Sequence, residues 1–107
     1  MTTPTLLHHF CDGQYIKETH IAAGYEVHKH VHSFSHFSIL AKGSAILNVA
    51  GKEQWLEAPA IINVAAGTPH SVRAVTDIVW LCTHAVAESE FDTDPAKIDA
   101  ILIAKGT

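Results

Sequence analysis

The tract Gly24-Tyr25-Glu26-Val27-His28-Lys29-His30-Val31-His32-Ser33-Phe34-Ser35-His36-Phe37-Ser38-Ile39-Leu40-Ala41-Lys42-Gly43 decides how the rest of the chain is read. Residues 25–32 alternate, with Glu26, His28, His30 and His32 on one face and Tyr25, Val27 and Val31 on the other. A period of two is the signature of a strand. Residues 33–35 predict a turn, and residues 36–41 read as the next strand, stopped at Lys42-Gly43. Side chains at i and i+2 point to the same side of a strand. His30 and His32 can therefore share a face, and a strand returning antiparallel brings His36 beside them.

The same grammar continues on both sides of this tract. Residues 14–22 carry β-formers and end at Ala23-Gly24. Residues 44–49 and 54–57 flank Ala50-Gly51-Lys52-Glu53, a hairpin-type connection. The apolar run 60–65 ends at Ala66-Gly67-Thr68-Pro69. Residues 70–75 and 78–84 read as two more strands, separated by Thr76-Asp77. About eight short strands at this spacing predict an all-β sandwich or barrel. The expected organisation is an N-terminal segment over 1–14, a barrel over 15–86, and an acidic linker with a short C-terminal helix over 87–107. Asp94-Pro95 fits an N-cap followed by proline at the first helical position. Ile98, Ile101 and Leu102 then share one helical face, and Gly106 can end the helix. That helix is expected to pack outside the barrel.

Composition narrows the function. A chain of 107 residues suits one domain with one core. The formal charge is −4 and no Lys/Arg cluster offers a phosphate footprint, which argues against nucleic acid as a partner. Cys11 and Cys82 stand far apart, with neither C-x-x-C nor zinc-ribbon spacing. They read as two reduced thiols. No basic segment with a long apolar run opens the chain, and no apolar stretch is long enough to cross a bilayer. The expectation is a soluble cytoplasmic protein with no membrane partner.

Nine histidines in a chain of this length are many. Imidazole titrates near neutrality and is the commonest metal-ligand side chain. His30, His32 and His36 come from one strand-turn-strand unit. His70 starts a distant strand directly after the Gly67-Thr68-Pro69 turn, a position suited to the mouth of a barrel. Such convergence offers four neutral imidazoles to one divalent transition-metal ion.

Here the sequence resembles a known family. Gly24, His30, His32, His36 and Gly43 meet every fixed place of the first cupin motif, except that His36 stands where most cupins have glutamate. The second motif is met at Gly67 and His70 only. Pro59 and Ala65 stand where its first glycine and its proline belong, and Ala74 stands where its asparagine belongs. The resemblance covers about residues 15 to 86 and implies a small single-domain cupin, a jelly-roll barrel. The ligand set His30, His32, His36 and His70 looks like that of the four-histidine cupins. A homodimer is expected from the resemblance, since exposed sheet edges need covering.

The metal would be Zn, Fe, Mn, Ni, Co or Cu, because nitrogen donors suit these better than Mg or Ca. With His36 in place of glutamate, the ion keeps its full double charge, which favours a small anionic ligand such as a carboxylate, an enolate or superoxide. Three readings follow. One is an enzyme, either an oxygen-dependent dioxygenase or a Lewis-acid isomerase or lyase. The second is a non-catalytic small-molecule or metal-binding module. The third is a structural protein whose metal staples a small barrel. Open coordination positions distinguish the first from the third.

The remaining histidines carry lesser expectations. His84 ends the last core strand and could move a proton if Trp80, Cys82 and His84 face inward. The opposite set, Val79, Leu81 and Thr83, is the more apolar and competes for that face. His28 reads as a solvated strand end or an outer-sphere group. His8, His9 and His20 read as surface residues. Phe34 and Phe37 read as core or interface, and Cys82 as a buried apolar residue.

Overall fold

A computed structural model describes residues 5–30 and 35–85, with the backbone alone described at residues 28–30 and 84. Nine strands follow one another: β1 Thr5–Cys11, β2 Gln14–Ile21, β3 Glu26–His30, β4 His36–Lys42, β5 Ser44–Val49, β6 Lys52–Glu57, β7 Ala60–Val64, β8 His70–Ala74 and β9 Ile78–Ala85. They form two sheets, β1-β2-β9-β4-β7 and β3-β8-β5-β6, and every pairing is antiparallel. Consecutive strands β3 to β5 cross between the sheets, and so do β6 to β9. This is the all-β sandwich that the spacing predicts, in the jelly-roll form that the resemblance implies. The expected helix over 95–105 lies outside the described residues.

All eight strands anticipated from the sequence are present, and β1 is the ninth. It pairs with β2 from Thr5↔His20 to Cys11↔Gln14 across the Asp12-Gly13 turn. Asp12 and Gly13 both take positive φ, 41° and 80°. That is the combination a tight hairpin with right-handed twist requires.

Alternation decides which side chains meet inside. On the larger sheet, Tyr15, Thr19 and Ile21 of β2, Ser38 and Leu40 of β4, Val64 of β7, and Ile78 and Trp80 of β9 are buried. Ala45 and Leu47 of β5, Leu56 of β6, and Val72 and Ala74 of β8 face them from the smaller sheet. The core collects toward one end of the sandwich, where Ala45 pairs with Ala74. On β9 the set Ile78, Trp80 and Cys82 packs into this core, which settles the parity that the sequence left open.

That end is closed by a tight corner. Gly43 joins β4 to β5 with φ of 88°. A Cβ placed there would lie 2.4 Å from the Asp77 carbonyl oxygen and 2.7 Å from Thr76 Oγ1. The close approach lets the Ser44 N–H donate to Thr76 Oγ1 at 2.9 Å, and the Val75 N–H donate to the Ser44 carbonyl at 2.9 Å. The second glycine of the histidine tract is thus fixed by space as well as by φ. Gly24 has φ of 87° but nothing within 4 Å of its would-be Cβ, so conformation alone requires it.

Candidate metal centre

The far end of the sandwich carries the histidines. His36 begins β4 and keeps 6% of its surface exposed, and His70 begins β8 and keeps 4%. They belong to opposite sheets, yet their ring centroids are 5.6 Å apart with planes tilted by 54°. Two imidazoles from facing sheets therefore converge in the interior. His30 is the register partner of His70, after an irregularity in β3 between Val27 and His30. The register shift brings the end of β3 beside the start of β8. His32 lies outside the described residues.

Local structure holds His70 in a definite state. Its Nδ1 lies 3.2 Å from the Thr68 carbonyl, to which a ring N–H donates. That hydrogen bond leaves Nε2 with its lone pair, the arrangement by which a backbone carbonyl orients a metal-binding histidine. Burial pushes the His70 pKa down, and the bond to Thr68 opposes this more weakly. The result favours the neutral imidazole, the form that can donate to a metal.

The two turns that launch these histidines are tied together. Ser35 Oγ, one residue before His36, accepts a hydrogen bond from the Ala66 N–H at 3.0 Å. The Thr68 N–H closes the same turn on the Ala65 carbonyl at 3.2 Å. An accepting hydroxyl beside the first motif thereby fixes the turn of the second. The spacing of the motifs gives no sign of this link, because the partners are 31 residues apart.

Between this end and the closed core sits a transition zone. Ser38 is fully buried, and its Oγ lies 3.6 Å from Cys82 Sγ. Tyr15, 1% exposed, stacks on Phe10 and shares a 2.6 Å hydrogen bond between its hydroxyl and His8 Nδ1. His8 is accordingly half-buried rather than a surface residue. Tyr15 is also the register partner of His84, which shares the parity of Trp80 and Cys82. Composition drew no attention to Tyr15. The signal that finds it is the Asp12-Gly13 turn, which folds β1 onto β2.

The other described histidines lie elsewhere. His9 and His20 are exposed on the outer side of the larger sheet, and both donate to Glu18. Hydrogen bonds from His20, and then from His9, hold the Glu18 carboxyl below its ordinary pKa. Phe37 points outward and is 54% exposed, so it is not a core residue. No described helix is long and apolar enough to cross a membrane.

The two-sheet jelly roll with histidines converging at one end defines a small cupin domain. A sequence profile of the AraC-like ligand-binding domain matches residues 15–89, and the chain belongs to that family. Solved structures agree on the fold. A cupin superfamily protein from Desulfitobacterium hafniense matches with a TM-score of 0.70 at 14% identity, covering 79% of each chain. The Cnp3 cupin domain of Schizosaccharomyces pombe matches with a TM-score of 0.70 at 15% identity, covering 84% of this chain and 69% of its own. A variant of salicylate 1,2-dioxygenase from Pseudoaminobacter salicylatoxidans, in complex with gentisate, also matches with a TM-score of 0.70 at 15% identity. It covers 92% of this chain, but the match spans only 27% of the dioxygenase. At these identities the likeness concerns the fold alone. Among curated proteins no sequence match was found.

Proposed function

We propose that this cupin holds one divalent transition-metal ion through His30, His32, His36 and His70 and uses it to capture a small anionic molecule. The observation that carries the proposal is the convergence of His36 and His70 from opposite sheets, both buried, with His70 hydrogen-bonded so that Nε2 faces away from its carbonyl partner. Two such imidazoles fit an ion of the Zn, Fe, Mn, Ni, Co or Cu class. The register of His30 beside His70 would add a third donor from the same end.

A bound ion would supply Lewis acidity there, and a redox-active ion would also allow chemistry with dioxygen. The chain's own residues would do the rest. The Thr68 carbonyl orients His70, and the Ser35–Ala66 bond holds the turns that carry His36 and His70. Leu47, Val64 and Val72 keep the inner wall apolar and limit water. Four neutral donors leave the ion's positive charge uncompensated, so a carboxylate or enolate would be held more strongly than a neutral analogue. His84, at the register position beside Tyr15, is our candidate for moving a proton.

The enzymatic form of this proposal is a dioxygenase-like reaction with a redox metal, or an isomerase or lyase reaction with a redox-inert one. The family match to a ligand-binding domain favours a second form, a non-catalytic module that binds the same class of molecule.

Elemental analysis of the purified protein tests the centre. About one equivalent of metal is expected, and His70→Ala should weaken binding by more than the roughly 10–100-fold that loss of an outer-sphere partner costs. A stoichiometric metal content in both His70→Ala and His36→Ala would overturn the ligand set. Oxygen uptake or conversion of a small carboxylate by the metal-loaded protein separates the enzyme from the binding module. Saturable carboxylate binding without turnover supports the module.

A further inference from the structure

The larger sheet carries a shallow groove of about 780 Å³ at its histidine end. Its floor is built from residues that alternate with the core positions. One row across four strands is Ile16, Thr83, Phe37 and Asn63, and the next row back holds Ile39 and Ile61. Phe37 is 54% exposed and Ile61 70%. Tyr15 and His36 also line the groove, although both are buried and belong to the inward-facing set. A single groove that touches both sets passes over the end of the sheet, from the apolar outer face to a lip at the buried imidazoles.

The lining is sorted by polarity along this path. Gln14 and Ser35 stand at the lip with His36, whereas Ile39 and Ile61 close the far end. From His36 to Ile39 is about 10 Å along β4, at about 3.3 Å per residue. No Lys, Arg, Asp or Glu is among the described residues of the lining. The row of Ile39 and Ile61 also contains Glu18, two strands from Ile39 on β2. A concave surface of several hundred Å³, with apolar walls and polar groups gathered at one place, is the ordinary form of a small-molecule site.

We infer that this groove selects the anion captured at the histidine end: a monocarboxylate whose apolar body, an alkyl chain or a ring, lies over Phe37, Ile39 and Ile61. This rests on the metal centre proposed above, which would hold the carboxylate at the lip. Three features of the groove narrow the choice. Its apolar floor gains about four-fold in affinity for each methylene it takes out of water. Its described lining offers no cationic side chain, so pairing the carboxylate falls to the ion. A second carboxylate at the far end would lose water against two isoleucines and meet the like charge of Glu18, so a dicarboxylate of equal length is disfavoured.

The full-length protein loaded with cobalt(II) tests the inference. The visible absorption of the ion is followed while acetate, hexanoate or adipate is added. Hexanoate should bind at least ten-fold tighter than acetate, and at least ten-fold tighter than adipate. Ile61 is largely exposed, so its variants should leave the barrel folded. Ile61→Ser should lower hexanoate affinity about four-fold or more, with acetate affinity and cobalt content unchanged. Ile61→Lys should reverse the preference in favour of adipate. Stoichiometric cobalt with equal affinities for the three acids would overturn the inference and leave the metal centre standing. Hexanoate binding unchanged in both Ile61 variants would do the same. If a wild-type dimer dissociated in those variants while hexanoate binding held, the groove would belong to a second copy and the inference would again be overturned. Failure to take up cobalt would overturn the metal centre and the inference together.

Discussion

The two ends of the sandwich are built from the same strands but obey different rules. At the closed end, Leu40, Ala45, Ala74, Ile78 and Trp80 pack with Thr19 as the one buried polar neighbour among the described residues, and Gly43 lets the backbone corner touch. At the other end, two inward positions further along β4 and β8, the inner residues are His36 and His70. The first end is a place where volume is conserved. The second spends its interior on groups that are costly to bury. The difference shows that in a domain this small, apolar packing and buried imidazoles are separated along the strands rather than by layers.

Substitutions can break or sharpen that contrast. Trp80→Ala at the closed end should destabilise the domain by about 3–5 kcal/mol, read as a shift in the urea midpoint. Its metal content, measured on the fraction that remains folded, should stay stoichiometric. If Trp80→Ala cost no more than a surface change, the apolar end would not be the stability core. Gly43→Ala comes next. It should cost more than the roughly 1–2 kcal/mol of the left-handed conformation alone, because its Cβ meets the Asp77 carbonyl. Gly24→Ala, which meets nothing, should show only that conformational cost. Equal losses from the two glycines would refute the close-approach argument.

A smaller effect is expected from pH at the histidine end. The His70 pKa is depressed from an ordinary value of 6.5, so the unfolded chain binds the proton more readily than the folded one. The His70 contribution is therefore complete above about pH 6.5 and is lost as the pH falls toward the folded-state value. Urea titrations of the metal-free protein between pH 7.5 and 5 should show this decline, and His70→Leu should flatten it. A profile identical in the two proteins would mean that burial of His70 is not what depresses its pKa. The smallest change concerns neither end. Ala50 sits in the β5–β6 hairpin with φ of 52°, so Ala50→Gly should stabilise by up to about 1 kcal/mol. A loss of stability there would show that the Ala50 methyl packs better than its backbone strain suggests.

Much of this architecture was legible before any coordinates. The alternation of residues 25–32 and the turn signals predicted the strands and a sandwich or barrel, and the resemblance of the histidine tract to the first cupin motif implied the jelly roll. Three features were not. β1 escaped because Leu6-Leu7-His8-His9 pairs like with like and hides its period of two, although Asp12-Gly13 marked the hairpin. The parity of β9 was ambiguous because Val79 and Leu81 are as apolar as the residues that face the core. The outer face of this sheet is itself apolar, so hydrophobicity could not tell inside from outside. Phe37 was expected in the core or an interface for the same reason, and it stands on that outer face. At the site, the motif spacing singled out His36 and His70, whose ring centroids lie 5.6 Å apart, whereas the Ser35–Ala66 bond links two turns that no local pattern connects.

That bond has a thermodynamic consequence. Because Ser35 Oγ fastens the turn before His36 to the turn before His70, the fold itself holds the two rings in relation. If an ion binds there as proposed, folding and loading become linked functions. An ion that binds only the folded chain raises its stability by an amount that grows with the logarithm of ion concentration over Kd. By the same reciprocity, loosening this one hydroxyl contact, as in Ser35→Ala, should lower affinity for the proposed ion without removing any of its proposed ligands.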